Sequence, residues 1–211
     1  KTGVDIPGEI SGVAKNPRQW SKISIATMPM GQEIGVTVLQ LACAFSVIAN
    51  GGTLMKPYLV SEVRDKYGEA IQEFKPQAIR QVISPETAAR MRKILTGVVQ
   101  HGTGKLAQVP GFTAGGKTGT AQKLEPDGRY SHSKFTASFV GFAPAEEPAL
   151  VVAVVLDEPR PYYYGGVVAS PVFRNVVSDT LRYLKTKQSV EEVWKLNEVK
   201  QIDFGNGGIE D

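Results

Sequence analysis

The stretch GGKTGTAQK, residues 115–123, sets one ammonium between a glycine pair and two small hydroxyl residues. Lys117, Thr118 and Thr120 are the groups there with chemistry to offer: a cation and two hydroxyls that both donate and accept. Glycine is unfavourable inside a strand unless a ligand or another backbone comes close, so Gly115, Gly116 and Gly119 suggest a strand with one edge left open. Such an edge can hold a carboxylate and lend a backbone N–H to an oxyanion. The plainer reading, a glycine-rich turn carrying a solvated lysine, stays open on these residues alone.

Two other motif matches compete with this one. GFTAGGKT, from Gly111 to Thr118, fits the phosphate-binding pattern G-x-x-x-x-G-K-[ST] formally. That loop needs a hydrophobic strand directly before it and a long helix directly after it, whereas AQVP precedes and the strand-like AQKLEPDG follows. Ser131 and Lys134 in YSHSK form an S-x-x-K pair, but they sit in a polar loop before a strand-like run, whereas geometry must place a nucleophile and its base together in a pocket. His101 sits at a helix end, where a cation complements the helix dipole, and His132 lies in the same polar loop; neither belongs to a Ser-His-Asp set or a metal cluster. No metal-ligand spacing or cofactor motif is present. The single cysteine, Cys43, lies in the apolar LQLACAFSVIA and reads as a buried structural thiol.

The elements that must position the lysine are legible from periodicity. Residues 1–34 are rich in Gly, Pro and Ser and read as a long irregular segment with short turns. Val38, Leu41, Ala42, Phe45 and Ile48 then fall at helical spacing, stopped by Asn50-Gly51-Gly52. YLVSEVR and AIQEF read as a hairpin of two modest strands. Ser84 caps a second helix with Pro85 at its first position and Ala88, Met91, Leu95 and Val98 on its apolar face; it delivers the chain into HGTGK. KFTASFVGFA and ALVVAVVLD, five residues apart, read as an antiparallel pair, with GGKTGTAQK as a third strand joined through the polar loop LEPDGRYSHS. In SPVFRNVVSDTLRYL, Ser170 caps and Pro171 starts a helix whose stripe is Phe173, Val176, Val177, Leu181 and Leu184. SVEEVWKL, with Ser189 and Glu192 in capping-box spacing, reads as a short last helix before a mobile end. This order predicts an α+β fold, an antiparallel sheet covered by helices.

The chain has 211 residues, 42% of them apolar and 21% charged, enough for a packed core. Its 24 basic and 21 acidic residues leave a formal charge of +3 without a concentrated basic footprint, which argues against nucleic acid as a partner. No stretch reaches the about 18 apolar residues of a membrane span and no leader opens the chain, which starts on Lys1. It reads as a piece of something longer, with any targeting signal upstream.

The residues that decide between the motif readings are TGVDIPGEISG, WSKISIATMPMGQEIGVTVLQLACAFSVIANGG, GGKTGTAQK, PDGRY, FVGFAPAEEPALVVAVVLDEP and YYYGGVVASPVF, in this order and at these intervals. K-T-G is the third signature of penicillin-binding proteins and serine β-lactamases. Over about residues 2–184 the chain resembles the C-terminal part of the transpeptidase domain of class B penicillin-binding proteins, most closely the cell-division type.

That resemblance implies the fold shared with serine β-lactamases, incomplete at the N-terminal side, with residues 1–185 as the C-terminal portion of a transpeptidase domain and 186–211 as a short helix and tail. It implies a peptidoglycan D,D-transpeptidase of septal cell-wall synthesis, working through an acyl-serine. The substrate would be a stem peptide ending in D-Ala-D-Ala, β-lactams would mimic it, and no cofactor would be needed. Lys117 would supply positive potential, Thr118 would bind the terminal carboxylate, Thr120 would give its backbone N–H to the oxyanion hole and its side chain to the same ligand, and Gly119 would keep the strand edge clear. Tyr162, Tyr163 and Tyr164 would border the cleft as an aromatic lip, with ordinary surface packing an equal reading. The nucleophile motif S-x-x-K and the S-x-N motif would precede Lys1, so this chain alone would be inactive. The parent protein would sit outside the cytoplasmic membrane, anchored by an upstream segment, among cell-division membrane proteins. A non-catalytic sensor or binding module of the same fold, and a serine β-lactamase, are the alternatives.

Overall fold

A computed structural model of the chain describes residues 1–184; the expected helix SVEEVWKL and the tail lie outside them. Residues 1–34 form the irregular segment that their composition predicts, pinned at a few points, and it runs on to Thr37. Val13–Ala14 (β1) pairs antiparallel with Ile34–Gly35 (β2), and between them lie one short α-helix, Ser24–Thr27 (α1), and two single 3-10 turns, Pro17–Gln19 and Met28–Met30. Glu33 holds this segment together. Its carboxylate accepts from Lys15 Nζ at 2.9 Å, from the fully buried Ser24 Oγ at 3.0 Å and from Thr27 Oγ1 at 3.3 Å.

These donors, Lys15 foremost and then Ser24, hold the Glu33 carboxyl below its ordinary value of 4.5. A depressed folded-state pKa contributes stability that is full above the unfolded value and is lost as pH falls through the folded one. Glu33→Gln is therefore expected to lower the thermal midpoint at neutral pH and to flatten its fall below pH 4.5. Melting scans of both proteins from pH 7 to pH 3 check this; parallel curves would contradict it.

Val38–Ala49 (α2) begins on Thr37, whose hydroxyl accepts from Gln40 N while the Gln40 side chain accepts from Thr37 N. This reciprocal cap sets the helix start, and the expected stripe is largely kept, with Phe45 and Ile48 against the sheet. Val38, in the first turn, is exposed, and the most buried position is Val47, outside the expected stripe. Cys43 is half-buried rather than buried, and what burial it has pushes its thiol pKa up.

The expected hairpin forms from Glu62–Arg64 (β4) and Ala70–Glu73 (β5), but a second ribbon brackets it: Thr53–Lys56 (β3) pairs with Gln77–Gln81 (β6). TLMK and QAIRQ lack the alternation that would have disclosed it. Pro85–Gln100 (α3) starts as expected on Ser84, whose Oγ accepts from Thr87 N at 3.2 Å.

Gly115–Leu124 (β7), Tyr130–Ala143 (β8) and Leu150–Asp157 (β9) make one antiparallel sheet in the order β7-β8-β9. The polar loop is shorter than LEPDGRYSHS suggests. Only residues 125–129 turn, and Tyr130 through Ser133 already belong to β8. Near that end Lys123 reaches across to Asp157 and Glu158, each 2.9 Å from its Nζ, and the two carboxylates, Glu158 first, hold the lysine pKa above its ordinary value.

Two helical layers sandwich the sheet. On one face Phe139 packs on Phe173 of Ser170–Tyr183 (α5, after the short Gly165–Val168, α4), ring centroids 4.7 Å apart, with Val177 and Leu181 beside them. On the other, Phe142 packs against Leu95 of α3 and Phe45 of α2. The α5 stripe is narrower than predicted, since Val176 and Leu184 are exposed. Ser170 is not its cap: α4 runs almost directly into α5, Ala169 takes the cap position, and the Ser170 hydroxyl is buried without a partner. Among the described residues no helix is long and apolar enough to cross a membrane.

Candidate active site

Strand β7 is an edge strand, and register assigns its faces. Gly116, Thr118 and Thr120 stand opposite Gly141, Phe139 and Ala137, on the α5 face; Gly115, Lys117 and Gly119 stand opposite Phe142, Val140 and Ser138, on the face of α2 and α3. The glycines also answer to packing. A Cβ at Gly115 would lie 2.6 Å from Phe142 Cζ, one at Gly116 would lie 2.6 Å from Phe139 Cζ, and one at Gly119 would run into Ser138 Oγ. Gly115 and Gly116 let the phenylalanines of β8 lie under β7, and Gly119 leaves room for Ser138.

The outer edge of β7 is free along the lysine motif. Lys117 Nζ curls around it to meet the Thr118 carbonyl at 2.8 Å and Thr118 Oγ1 at 3.2 Å. The Thr118 carbonyl therefore points outward. Both backbone groups of an antiparallel residue face the same way, and the direction alternates along the strand. The N–H of Thr120, two residues on, faces the same open edge.

Beside this edge lies a cleft of about 480 Å³. Thr118 and Thr120 line it together with Thr103, Leu106, Tyr164 and Val167. Thr103 Oγ1 is 2.8 Å from Thr118 Oγ1, and Gly165 N donates to Thr120 Oγ1 at 3.0 Å. The Thr120 hydroxyl thus accepts from the start of α4 and keeps its proton for a ligand. Of the three tyrosines only Tyr164 borders the cleft; Tyr163 stacks on Phe135 at 4.2 Å, with its ring 4.5 Å from that of Tyr164. Tyr162 is exposed and does not line it.

The competing motifs fall away on geometry. Thr118 continues into a strand, so no helix N-terminus stands behind a phosphate and the formal P-loop match is empty. Ser131 lies within β8 and is 4% exposed, its Oγ accepting from Lys134 N at 3.1 Å and Ser133 N at 3.3 Å. Lys134 pairs with Glu125 instead of Ser131, at 3.0 Å. His132 is exposed on β8 rather than in a loop, His101 closes α3, and neither lines the cleft. Thr103 was the residue that motif reading passed over; its one signal was the glycine pair of HGTGK directly after a helix.

The profile described as "Penicillin binding protein transpeptidase domain" matches residues 1–178. The chain belongs to this family. It is 40% identical to stage V sporulation protein D of Bacillus subtilis, over 98% of this chain and 32% of that protein. It is likewise 40% identical to the probable peptidoglycan D,D-transpeptidase PenA of Neisseria flavescens, over 84% of this chain and 42% of that one. Among solved structures, penicillin-binding protein 3 of Mycobacterium tuberculosis complexed with ampicillin superposes with a TM-score of 0.82 at 34% identity, covering 90% of this chain and 44% of that one. The chain thus spans under half the length of these relatives. The transpeptidase-domain fold expected from the sequence is the one found, with mixed helices and an antiparallel sheet.

Proposed function

We propose that this chain is the ligand-binding, C-terminal portion of a peptidoglycan D,D-transpeptidase, with the nucleophilic serine upstream of Lys1. The observation that carries the reading is the open β7 edge: the Thr118 and Thr120 hydroxyls line one cleft, and the Lys117 ammonium, which meets no carboxylate among the described residues, reaches Thr118 Oγ1 at that edge. In the reaction the serine oxygen attacks the carbonyl of the penultimate D-alanine and loses its proton. The tetrahedral intermediate collapses, the peptide bond breaks, and the terminal D-alanine leaves as a protonated amine. The acyl group then passes to an amine of a neighbouring strand, which frees the serine.

Each β7 residue has a part in that sequence. Lys117 supplies positive potential beside the serine and the leaving group. The Thr118 and Thr120 hydroxyls donate to the terminal carboxylate of the stem peptide, or of a β-lactam, across the flat backbone at Gly119. The Thr120 N–H faces the developing oxyanion, where a fixed donor in a dry site is worth far more than in water. The relatives' names support the reaction class. Septal synthesis, an extracytoplasmic position with an upstream membrane anchor, and cell-division membrane partners are the finer parts of the proposal.

The test treats two samples with a labelled penicillin and maps the adduct by peptide mass spectrometry: the full-length protein, and residues 1–211 alone. An acyl group on a serine upstream of Lys1, and none on the shorter chain, is expected. A folded full-length protein that takes no label would favour a sensor module of the same fold, and rapid release of hydrolysed drug would favour a β-lactamase.

A further inference from the structure

We propose that Thr103 is a positioning residue that turns the Thr118 hydroxyl into a dedicated donor for a ligand carboxylate. The inference rests on the reading of Thr118 as a carboxylate-binding residue. It starts from a count of protons. A hydroxyl has one donor and two acceptor positions, and a lysine ammonium can only donate. Lys117 Nζ, 3.2 Å from Thr118 Oγ1, therefore fills one acceptor position. Thr103 Oγ1 lies 2.8 Å away, and either hydroxyl of that pair can be the donor.

The two choices differ in what remains for a ligand. When Thr118 donates to Thr103 its only proton is used inside the protein. When Thr103 donates, both acceptor positions of Thr118 are filled and its proton points into the cleft. A carboxylate accepts only, so its arrival selects the second arrangement. Thr103 then raises the affinity for a carboxylate without touching it.

The surroundings fix Thr103 for this task. Gly102 N and Gly104 N both donate to the Val98 carbonyl at 3.1 Å, so the loop is tied to the end of α3 on either side of the threonine. Behind it, a Cβ at Gly166 would lie 2.6 Å from the Thr103 carbonyl and 3.5 Å from Thr118 Cγ2, which leaves α4 packed against both threonines.

The experiment uses the full-length protein and two probes, benzylpenicillin and its methyl ester, which differ in the carboxylate alone. Second-order acylation rates are measured for the wild type, Thr103→Val and Thr103→Ser. Thr103→Val is expected to lower the acid-to-ester rate ratio about tenfold, the size of one charge-assisted hydrogen bond, with an unchanged melting midpoint, and Thr103→Ser is expected to restore the ratio. Equal losses with both probes would assign Thr103 a merely structural role and overturn the proposal, as would an unchanged ratio. A wild type that takes no acyl group from either probe would overturn the functional reading, and this proposal with it.

Discussion

Lys117→Ala in the full-length protein is expected to slow acylation by a β-lactam about a thousandfold, the scale of removing a preorganised charge or donor from a reacting site, while the melting transition stays in place. The two halves of that expectation come from different observations. Lys117 is exposed, and among the described residues its ammonium meets no carboxylate, only the carbonyl and hydroxyl of Thr118. Truncating it removes no packing, and exposed substitutions of this kind shift stability by roughly half a kcal/mol or less. Among the described residues no carboxylate neutralises the charge, which leaves its potential available to a ligand at the β7 edge. Lys117→Arg is expected to recover only part of the rate. A planar fork cannot fold back onto the Thr118 carbonyl and hydroxyl as a compact point charge does. Acylation rates by stopped-flow or gel label, with melting curves of the same samples, decide the matter. Undiminished acylation in Lys117→Ala would remove the β7 edge from the mechanism.

How much of this was legible in the sequence differs by element, for physical reasons. Helix α3 could be placed from local signals, a serine cap, a proline at the first turn and one apolar face, although its fully buried C-terminal residue is Val99 and not the expected Val98. The three-strand sheet could be read because β8 and β9 are long apolar runs, and the short interval between them permits only a hairpin. The β3–β6 ribbon was hidden, since its two polar segments lie more than twenty residues apart and only tertiary contact pairs them. Ser170 misled because Ser-Pro before an apolar stripe reads as a helix start, whereas α4 supplies the preceding turn. At the site, the residue types of β7 disclosed the cation and hydroxyls. Thr103 was beyond reach, because its relation to Thr118 exists only when the loop after α3 folds back beside the sheet edge.

The glycine pair carries the second large effect, on stability. In Gly116→Ala the new Cβ would sit 2.6 Å from Phe139 Cζ and 2.7 Å from the Val140 carbonyl oxygen. Neither neighbour can step aside. Phe139 is fully buried against Phe173, and the Val140 carbonyl belongs to the central strand of the sheet. Overpacking of this kind costs about 1–3 kcal/mol, and β7 must move outward to relieve it, carrying Lys117 with it. Phe139→Leu, which trims the ring that occupies the space, is expected to cost stability alone but to recover part of the loss when combined with Gly116→Ala. The expected coupling is about 0.5–3 kcal/mol, the range for residues in contact. Urea unfolding of the four proteins of this cycle measures it. Strict additivity would mean that the glycine is not there for the phenylalanine, and that the position of the β7 edge is set by something other than the packing beneath it.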